Sequence, residues 1–129
     1  MHNLKELKIW KKAIDLAVEV YRVTALFPIE EKYGLTSQTR RAAVSISSNI
    51  AEGAGRNSEK EFKYFLGIAN GSSFELQTQL FISNKLSLIG NEDLEKLLQH
   101  IEELQKMNYG FQNRLNKKSS TDLKSKCEG

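Results

Sequence analysis

Residues that could bind a metal or act as nucleophiles are scarce in this sequence of 129 residues. His2 and His100 lie far apart, and neither completes the Glu-x-x-His motif that di-iron helical bundles use. The single cysteine, Cys127, excludes an intramolecular disulfide and a thiolate metal cluster within one chain. We interpret His100 as a solvated helix residue without a chemical role. These observations predict a protein without catalytic activity, metal or cofactor.

Polar side chains near the predicted core are the remaining candidates for chemistry. Asn49 lies on the inward stripe of a predicted helix, Glu52 follows it, and Glu75 adjoins another apolar stripe. Buried polar groups need hydrogen-bonding partners, which Arg40 or Arg41 could supply. We therefore interpret Asn49, Glu52 and Glu75 as a structural polar network. The alternative is a hidden catalytic site of Glu52, Glu75 and Arg41, whose carboxyl pKa values would be displaced.

Basic residues are concentrated in the first half of the chain, where they could contact phosphate groups. The formal net charge is +3, which favours polyanionic partners only moderately. The candidate nucleic-acid-binding residues are Lys8, Lys11, Lys12, Arg40, Arg41, Arg56, Lys60 and Lys63. Acidic residues are interleaved with them, so a solvated charged face is the alternative interpretation. The loop GAGRNS could hold a phosphate at a helix N-terminus, although a reversing turn is the preferred interpretation.

Helical periodicity supplies the elements that would position these residues. Apolar and small residues recur at steps of three and four, which predicts helices over about 7–27, 36–53, 58–89 and 91–115. Thr36 is expected to cap the second helix. Ser58 and Glu61 form a capping box at the start of the third.

The expected inward faces differ in character from helix to helix. On the first helix, the residues at helical spacing are Trp10, Ala13, Ile14, Ala17, Tyr21 and Thr24. On the fourth helix, a coiled-coil-like seam is formed by Leu94, Leu97, Ile101, Leu104, Asn108, Phe111 and Leu115. Gly71, inside the third helix, is expected to pack tightly against a neighbour.

Four amphipathic helices joined by short connections predict an all-α fold, an antiparallel up-down-up-down four-helix bundle. The domain is expected to cover residues 1–115. Residues 116–129 are too polar to offset the entropy of ordering by burial and are expected to form a disordered tail. The chain has no apolar run of membrane-spanning length and no signal-peptide pattern at its N-terminus, so a cytoplasmic location without membrane contact is expected.

Three sequence blocks carry a resemblance to a known family. They are IWKKAIDLAVEVY, then TALFPIEEKYGLTSQTRRAAVSISSNIAEGAGRNS, then EFKYFLGIANGSSFELQTQL. In this combination and order, over about residues 7–90, the chain resembles the bacterial four-helix-bundle proteins encoded in 23S ribosomal RNA intervening sequences. Their location in a ribosomal RNA gene region does not imply a place on the ribosome.

The resemblance implies an assembly and possible partners. Members of the family form homopentamers, and their fold is similar to the accessory variability determinant of diversity-generating retroelements, which binds nucleic acid and a reverse transcriptase. A homopentameric ring that binds RNA or DNA is therefore expected, and five copies of a +3 chain would carry roughly +15. The alternative function is a protein-interaction scaffold, or an accessory factor for a reverse transcriptase or another protein, without direct nucleic-acid binding.

Overall fold

Four long helices make up most of the chain. The computed structural model describes residues 2–128, with side chains described for 2–117. A short 3-10 turn, Leu4–Glu6, precedes α1, Lys8–Thr24, and a second 3-10 turn, Ile29–Glu31, leads to α2, Leu35–Ala54. Helix α3 is Glu59–Lys85, and α4 is Asn91–Glu128. The described residues contain no strand, so the predicted all-helical chain of four helices is confirmed.

The helices pack around a single apolar core. Helix α1 contacts α2 and α4, and α3 contacts the same two helices, so α1 and α3 occupy opposite corners of the bundle. The largest fully buried side chains include Leu16, Ile46, Phe62, Leu76 and Ile101, which come from all four helices. Burying a side chain of this size contributes about 1.5–3 kcal/mol relative to leaving it in water. This shared core fixes the positions of the four helices and of the polar side chains on their surfaces.

The predicted seam of α4 faces this core. Leu94, Leu97, Ile101, Leu104, Asn108 and Leu115 are buried, and Phe111 is half-buried. Asn108 is the polar member of the seam. Its Nδ2 atom donates to the main-chain oxygen of Leu66 on α3 at 2.9 Å, and its Oδ1 atom accepts from Gln112 at 2.6 Å. The buried amide therefore has a partner for both of its polar atoms.

The predicted inward face of α1 is partly wrong. Its buried residues are Ile9, Ala13, Leu16, Val20 and Thr24, whereas Ile14 and Tyr21 are exposed. Apolar residues lie on two adjacent faces of this helix, and on both faces they recur at steps of three and four. The spacing therefore does not tell which of the two faces packs against the core. One consequence is an outward apolar strip that includes Ile14, Val18 and Tyr21.

One predicted cap is confirmed and one is wrong. The Ser58 hydroxyl accepts a hydrogen bond from the main-chain nitrogen of Glu61 at 3.2 Å and begins α3. Helix α2 begins earlier than expected, at Leu35, whose main-chain nitrogen donates to Glu31 Oε2 at 3.2 Å. The 3-10 turn before α2 brings this carboxylate to the positive end of the helix, where an anion is stabilising. Thr36 is thus inside the helix.

Two glycines have opposite surroundings. A Cβ atom on Gly53 of α2 would lie 2.8 Å from Phe62 Cδ1 and 2.9 Å from Phe65 Cβ, both on α3. The absent side chain therefore permits close approach of the two helices. At Gly71 the prediction of tight packing against a neighbouring helix of the same chain is wrong, because a Cβ atom there would meet no described atom within 4 Å.

The sequence predicts that the fourth helix and the domain end at residue 115 and that a disordered tail follows. That helix is assigned as Asn91–Glu128, and residues 118–129, most of the predicted tail, lie outside the residues whose side chains the structure describes. The disorder of residues 116–129 stays a prediction. Over the described part of the chain, each helix is too short or too polar to cross a lipid bilayer.

Candidate nucleic-acid interface

The eight predicted basic residues are spread over several surfaces. Lys8 and Lys11 are exposed near the start of α1, and Lys60 and Lys63 are exposed near the start of α3. Lys12 lies between α1 and α4, where its Nζ atom donates to Glu103 Oε2 at 2.7 Å. This hydrogen bond and the ammonium charge lower the pKa of the Glu103 carboxyl. Lys12 therefore joins two helices within the protein.

Arg56, in the predicted phosphate-binding loop, already has an anionic partner. Its Nη2 atom lies 2.6 Å from Glu52 Oε1, and its guanidinium carbon lies 4.9 Å from the centre of the Phe65 ring. The adjoining surface groove, of about 700 Å³, is lined by Glu52 and Glu61 as well as Arg56. Two carboxylates beside one guanidinium disfavour a second anion. This geometry favours a reversing turn over a phosphate site.

Arg40 binds the end of α1. Its Nε atom donates to the hydroxyl of Thr24 at 2.8 Å, and its Nη2 atom donates to the main-chain oxygen of Tyr21 at 3.3 Å. Its guanidinium carbon lies 4.5 Å from the centre of the Tyr21 ring. A cation at a helix C-terminus is stabilised by the helix dipole. Arg40 thus fixes α2 to α1, and its charge stays at the surface beside its neighbour Arg41.

The structure brings Arg40 and Arg41 together with Lys32 in one groove. This groove, of about 480 Å³, lies between the end of α1 and the start of α2, and we call it the basic groove. Its lining residues are Tyr21, Lys32, Tyr33, Thr36, Ser37, Arg40, Arg41 and Val44. Three of these side chains are cationic, and the described lining contains no carboxylate. The nearby Glu31 carboxylate accepts from the main-chain nitrogen of Leu35.

Two tyrosines accompany the cations of the basic groove. Tyr33 is 88% exposed, and the Nζ atom of Lys32 lies 5.5 Å from its ring centre. The hydroxyl oxygen of Thr36 is buried and has no hydrogen-bond partner among the described residues. Exposed aromatic rings can stack on nucleobases while cations bind the phosphate backbone. The groove therefore offers both aromatic rings for base stacking and cations for phosphate binding, the two kinds of contact that single-stranded nucleic acid uses.

Lys32 and Tyr33 were outside the predicted site. They lie in the segment IEEKYG, whose composition indicates only a polar connection. A signal is nevertheless present, because a cation and an aromatic residue directly precede a helix that carries two adjacent arginines near its start. The connection must return across the end of α1, which brings these residues close together.

Another groove, of which only Lys8 was predicted, lies between the start of α1 and α4. Its volume is about 420 Å³, and it is lined by Lys8, Lys106, Arg114 and Phe111, together with Glu6, Leu7, Ile9, Met107 and Gly110. Lys106, Gly110 and Arg114 are spaced four residues apart and therefore share one helix face. Gly110 has no side chain and leaves space between the two basic residues. This spacing was a usable signal. Glu6 makes this groove less purely cationic than the basic groove.

The predicted polar network is not brought together by the described hydrogen bonds. Asn49 Nδ2 donates within α2 to the main-chain oxygen of Ser45 at 2.8 Å, and Ser45 Oγ lies 2.9 Å from Ser72 Oγ on α3. Glu52 contacts Arg56, and Glu75 Oε1 accepts from Gln79 at 3.4 Å. Both carboxylates are exposed. The contacts of the three residues thus belong to separate local groups.

The histidines bind other helices. His100 is half-buried, so its interpretation as a solvated residue is wrong: Nδ1 lies 2.9 Å from Glu19 Oε2 and Nε2 lies 3.2 Å from the main-chain oxygen of Lys12. His2 Nε2 lies 3.2 Å from Glu59 Oε1, and its ring packs on Phe62. The described residues include no group of three or more metal-ligating side chains.

A family model described as the 23S rRNA-intervening sequence protein matches residues 5–110 of this chain. The chain belongs to this family. A crystal structure of a protein of unknown function from the S23 ribosomal protein family of Bacteroides thetaiotaomicron is similar to this family member, with a TM-score of 0.75. The two sequences are 23% identical, and the alignment covers 81% of this chain and 97% of the other. At this identity the likeness shows a shared fold. Among curated proteins, none is significantly similar to the chain.

Proposed function

We propose that this 23S rRNA-intervening sequence protein is a non-enzymatic homo-oligomer that binds RNA or DNA through its basic groove. The observation that carries the proposal is the meeting of Lys32, Arg40 and Arg41 with two tyrosines in a groove whose described lining lacks carboxylates. Phosphate groups would bind Arg41 and Lys32, and a base would stack on Tyr33. Arg40 would contribute charge while remaining bound to α1.

The proposal includes the arrangement and number of the subunits. Each chain would be an up-down-up-down bundle, and five chains would form a ring, as the family resemblance implies. Repetition strengthens a weak binding site, because sites on one rigid assembly can engage one strand together. Five basic grooves and a summed charge of roughly +15 would therefore bind a polyanion better than one chain with +3. A cytoplasmic location fits a nucleic-acid partner.

A salt titration of binding to generic single-stranded RNA and DNA tests the proposal. Each phosphate contact on a single strand contributes roughly 0.7 to the slope of log affinity against log salt concentration. The variants Arg41→Ala and Lys32→Ala should bind more weakly at low salt and reduce that slope by at least this amount. Tyr33→Ala should weaken binding with little change of slope, because stacking releases few counterions.

Lys96→Ala is the matched control for charge. Lys96 is exposed on α4, contacts Glu92 at 3.3 Å and is not among the residues that line the basic groove. Its replacement by alanine removes one positive charge, as Arg41→Ala does. Because Lys96 does not line the basic groove, Lys96→Ala should leave both affinity and slope close to those of the wild type. If Lys96→Ala weakens binding as much as Arg41→Ala, binding is unspecific attraction to net charge, and the basic groove is not the site.

The alternative is a protein-interaction scaffold, possible partners being a reverse transcriptase or another protein. Exposed aromatic side chains on α3, among them Tyr64, Phe74 and Phe81, favour this alternative because large exposed apolar patches commonly mark protein contacts. The absence of RNA and DNA binding even at low salt would reject nucleic-acid binding and leave the scaffold function.

A further inference from the structure

Helix α3 carries an outward apolar seam that no described side chain, from residue 2 to residue 117, covers. Tyr64, Gly67, Gly71, Phe74, Thr78 and Phe81 follow one another at alternating steps of three and four residues, and all are exposed. Ile68 and Ile82 are exposed beside this seam. Alternating steps of three and four form the face with which a helix packs on another helix. From Tyr64 to Phe81 the seam spans about 26 Å at ~1.5 Å per residue.

The two glycines of this seam open it to close approach. A Cβ atom on Gly67 or Gly71 would meet nothing within 4 Å. Glycine inside an exposed helix costs about 1 kcal/mol relative to alanine. Among the described residues, no packing contact at Gly67 or Gly71 offsets this cost. It would allow the backbone of a second molecule to lie close to α3 between Tyr64 and Phe74.

A second apolar surface, a groove of about 800 Å³, lies on the outer side of α1 and α2. Its lining residues are Ile14, Ala17, Val18, Tyr21, Arg22, Ala25, Val44, Ser47 and Ser48. We call it the apolar groove. It is concave and lined mainly by aliphatic side chains, whereas the α3 seam presents projecting aromatic rings on either side of two glycines. The two surfaces differ in shape, and residues 2–117 leave both of them exposed.

We infer that the apolar groove of one copy receives the α3 seam of a second copy of this chain. The pairing rests on the proposed homo-oligomer and names the surfaces that would form it. Arg22 is the only charged residue among those lining the groove, and Glu75 is the only one within the seam region from Tyr64 to Ile82. Their opposite charges favour this pairing over seam against seam or groove against groove.

The location of the two surfaces determines the kind of assembly. The groove lies on α1 and α2 and the seam lies on α3, which is at the corner of the bundle opposite α1, so the two are separate surfaces of one chain. A contact between unlike surfaces is heterologous, and it forms a ring when the rotation between neighbours closes. Tyr21 and Val44 line both the apolar groove and the basic groove. Each subunit boundary would therefore lie beside a nucleic-acid site.

Complementation between two variants tests this pairing. Val18→Glu places a charge in the apolar groove, and Phe74→Glu places one on the seam; the two side chains are 43% and 56% exposed. Each variant alone should have the mass of one chain by light scattering, with helical content retained by circular dichroism. Mixed in equal amounts, they should form a dimer and nothing larger, because only one intact groove and one intact seam are available.

Tyr109→Glu is the matched control. Tyr109 is an aromatic residue of α4 that is 71% exposed and belongs to neither surface, so this variant should keep the mass of the wild type. Gly71→Arg provides a second variant of the seam and should complement Val18→Glu in the same way.

Three results would overturn the pairing: a wild type with the mass of one chain, single variants that keep the wild-type mass, or a mixture of Val18→Glu and Phe74→Glu that stays monomeric. Binding to single-stranded RNA is measured on the same samples. Wild-type binding together with variants of unchanged mass rejects only the pairing. A wild-type oligomer that complements as expected but binds no nucleic acid rejects only the nucleic-acid function.

Discussion

Gly53 determines how closely α2 and α3 approach each other. A Cβ atom there would be too close to Phe62 and Phe65, and it would also lie 3.2 Å from the main-chain oxygen of Phe62. Because backbone cannot move as easily as a flexible side chain, Gly53→Ala should lower the free energy of unfolding by about 1–3 kcal/mol. Urea denaturation measures this loss. Gly90→Ala, at a position with nothing within 4 Å, is the control and should change stability little.

The Lys12–Glu103 ion pair makes a small part of the stability depend on pH. The Glu103 pKa is lowered in the folded chain, mainly by the hydrogen bond from Lys12 and then by its charge. The pair therefore contributes stability above the unfolded carboxyl pKa, roughly 4.3, and this contribution is lost as the pH falls through the lower folded pKa. Glu103→Gln should be slightly less stable than the wild type at neutral pH, and the difference should disappear in acid.

Urea denaturation between neutral and acidic pH measures this difference. The effect is small because the carboxylate is exposed and screened by salt. Glu102→Gln is the control, since Glu102 is exposed on the same helix and has no ion pair among the described residues. A stability difference for Glu103→Gln that persists unchanged into acid would show that the ion pair is not its cause.

Side-chain roles at this scale are only partly predictable from the sequence. Arg40 and Arg41 are adjacent and chemically identical, yet one is bound to the end of α1 and the other is not. Neighbouring helix residues point about 100° apart, so their surroundings differ completely once the helix is packed. The roles of Lys32 and Tyr33 depend on the path of an irregular connection, which periodicity does not describe.

Asn108 sets the register of α4 against α3. Its amide is 3% exposed and binds both the Leu66 main-chain oxygen and Gln112. Asn108→Ala removes the contact with α3 and leaves the Gln112 amide without this acceptor, so it should lower the free energy of unfolding by about 1–3 kcal/mol. Urea denaturation measures the loss. Asn113→Ala, an exposed position on the same helix, should change stability by no more than about 0.5 kcal/mol.

Helices are the scale at which the sequence is most informative. The α4 seam is predictable because its apolar residues form one narrow stripe between charged faces. Helix α1 has apolar residues on two adjacent faces, and the choice between Ile9 or Leu16 and Ile14 or Tyr21 depends on where α2 and α4 lie. The start of α2 is likewise decided by a residue outside the helix, Glu31, through its contact with Leu35.

Core residues and interface residues look alike in a single sequence. Phe62 and Phe74 both lie on α3 at helical spacing, but Phe62 is buried and Phe74 is exposed. Both types of residue remove apolar surface from water, one during folding and the other during association. Only the packed chain separates them. The two uncovered apolar surfaces could therefore be assigned once the core was known.

If these surfaces pair between copies, the stability of the whole molecule must depend on protein concentration. A second copy that binds the folded chain but not the unfolded chain stabilises the folded state by mass action. Each tenfold increase in concentration should add on the order of 1 kcal/mol per chain and raise the unfolding temperature by a few degrees. Calorimetry over a hundredfold range of concentration measures this shift. Val18→Glu should unfold at one temperature throughout that range, whereas Tyr109→Glu should follow the wild type. A wild type whose unfolding temperature is independent of concentration would contradict assembly through these surfaces, because reversible dissociation and unfolding of such an oligomer are coupled.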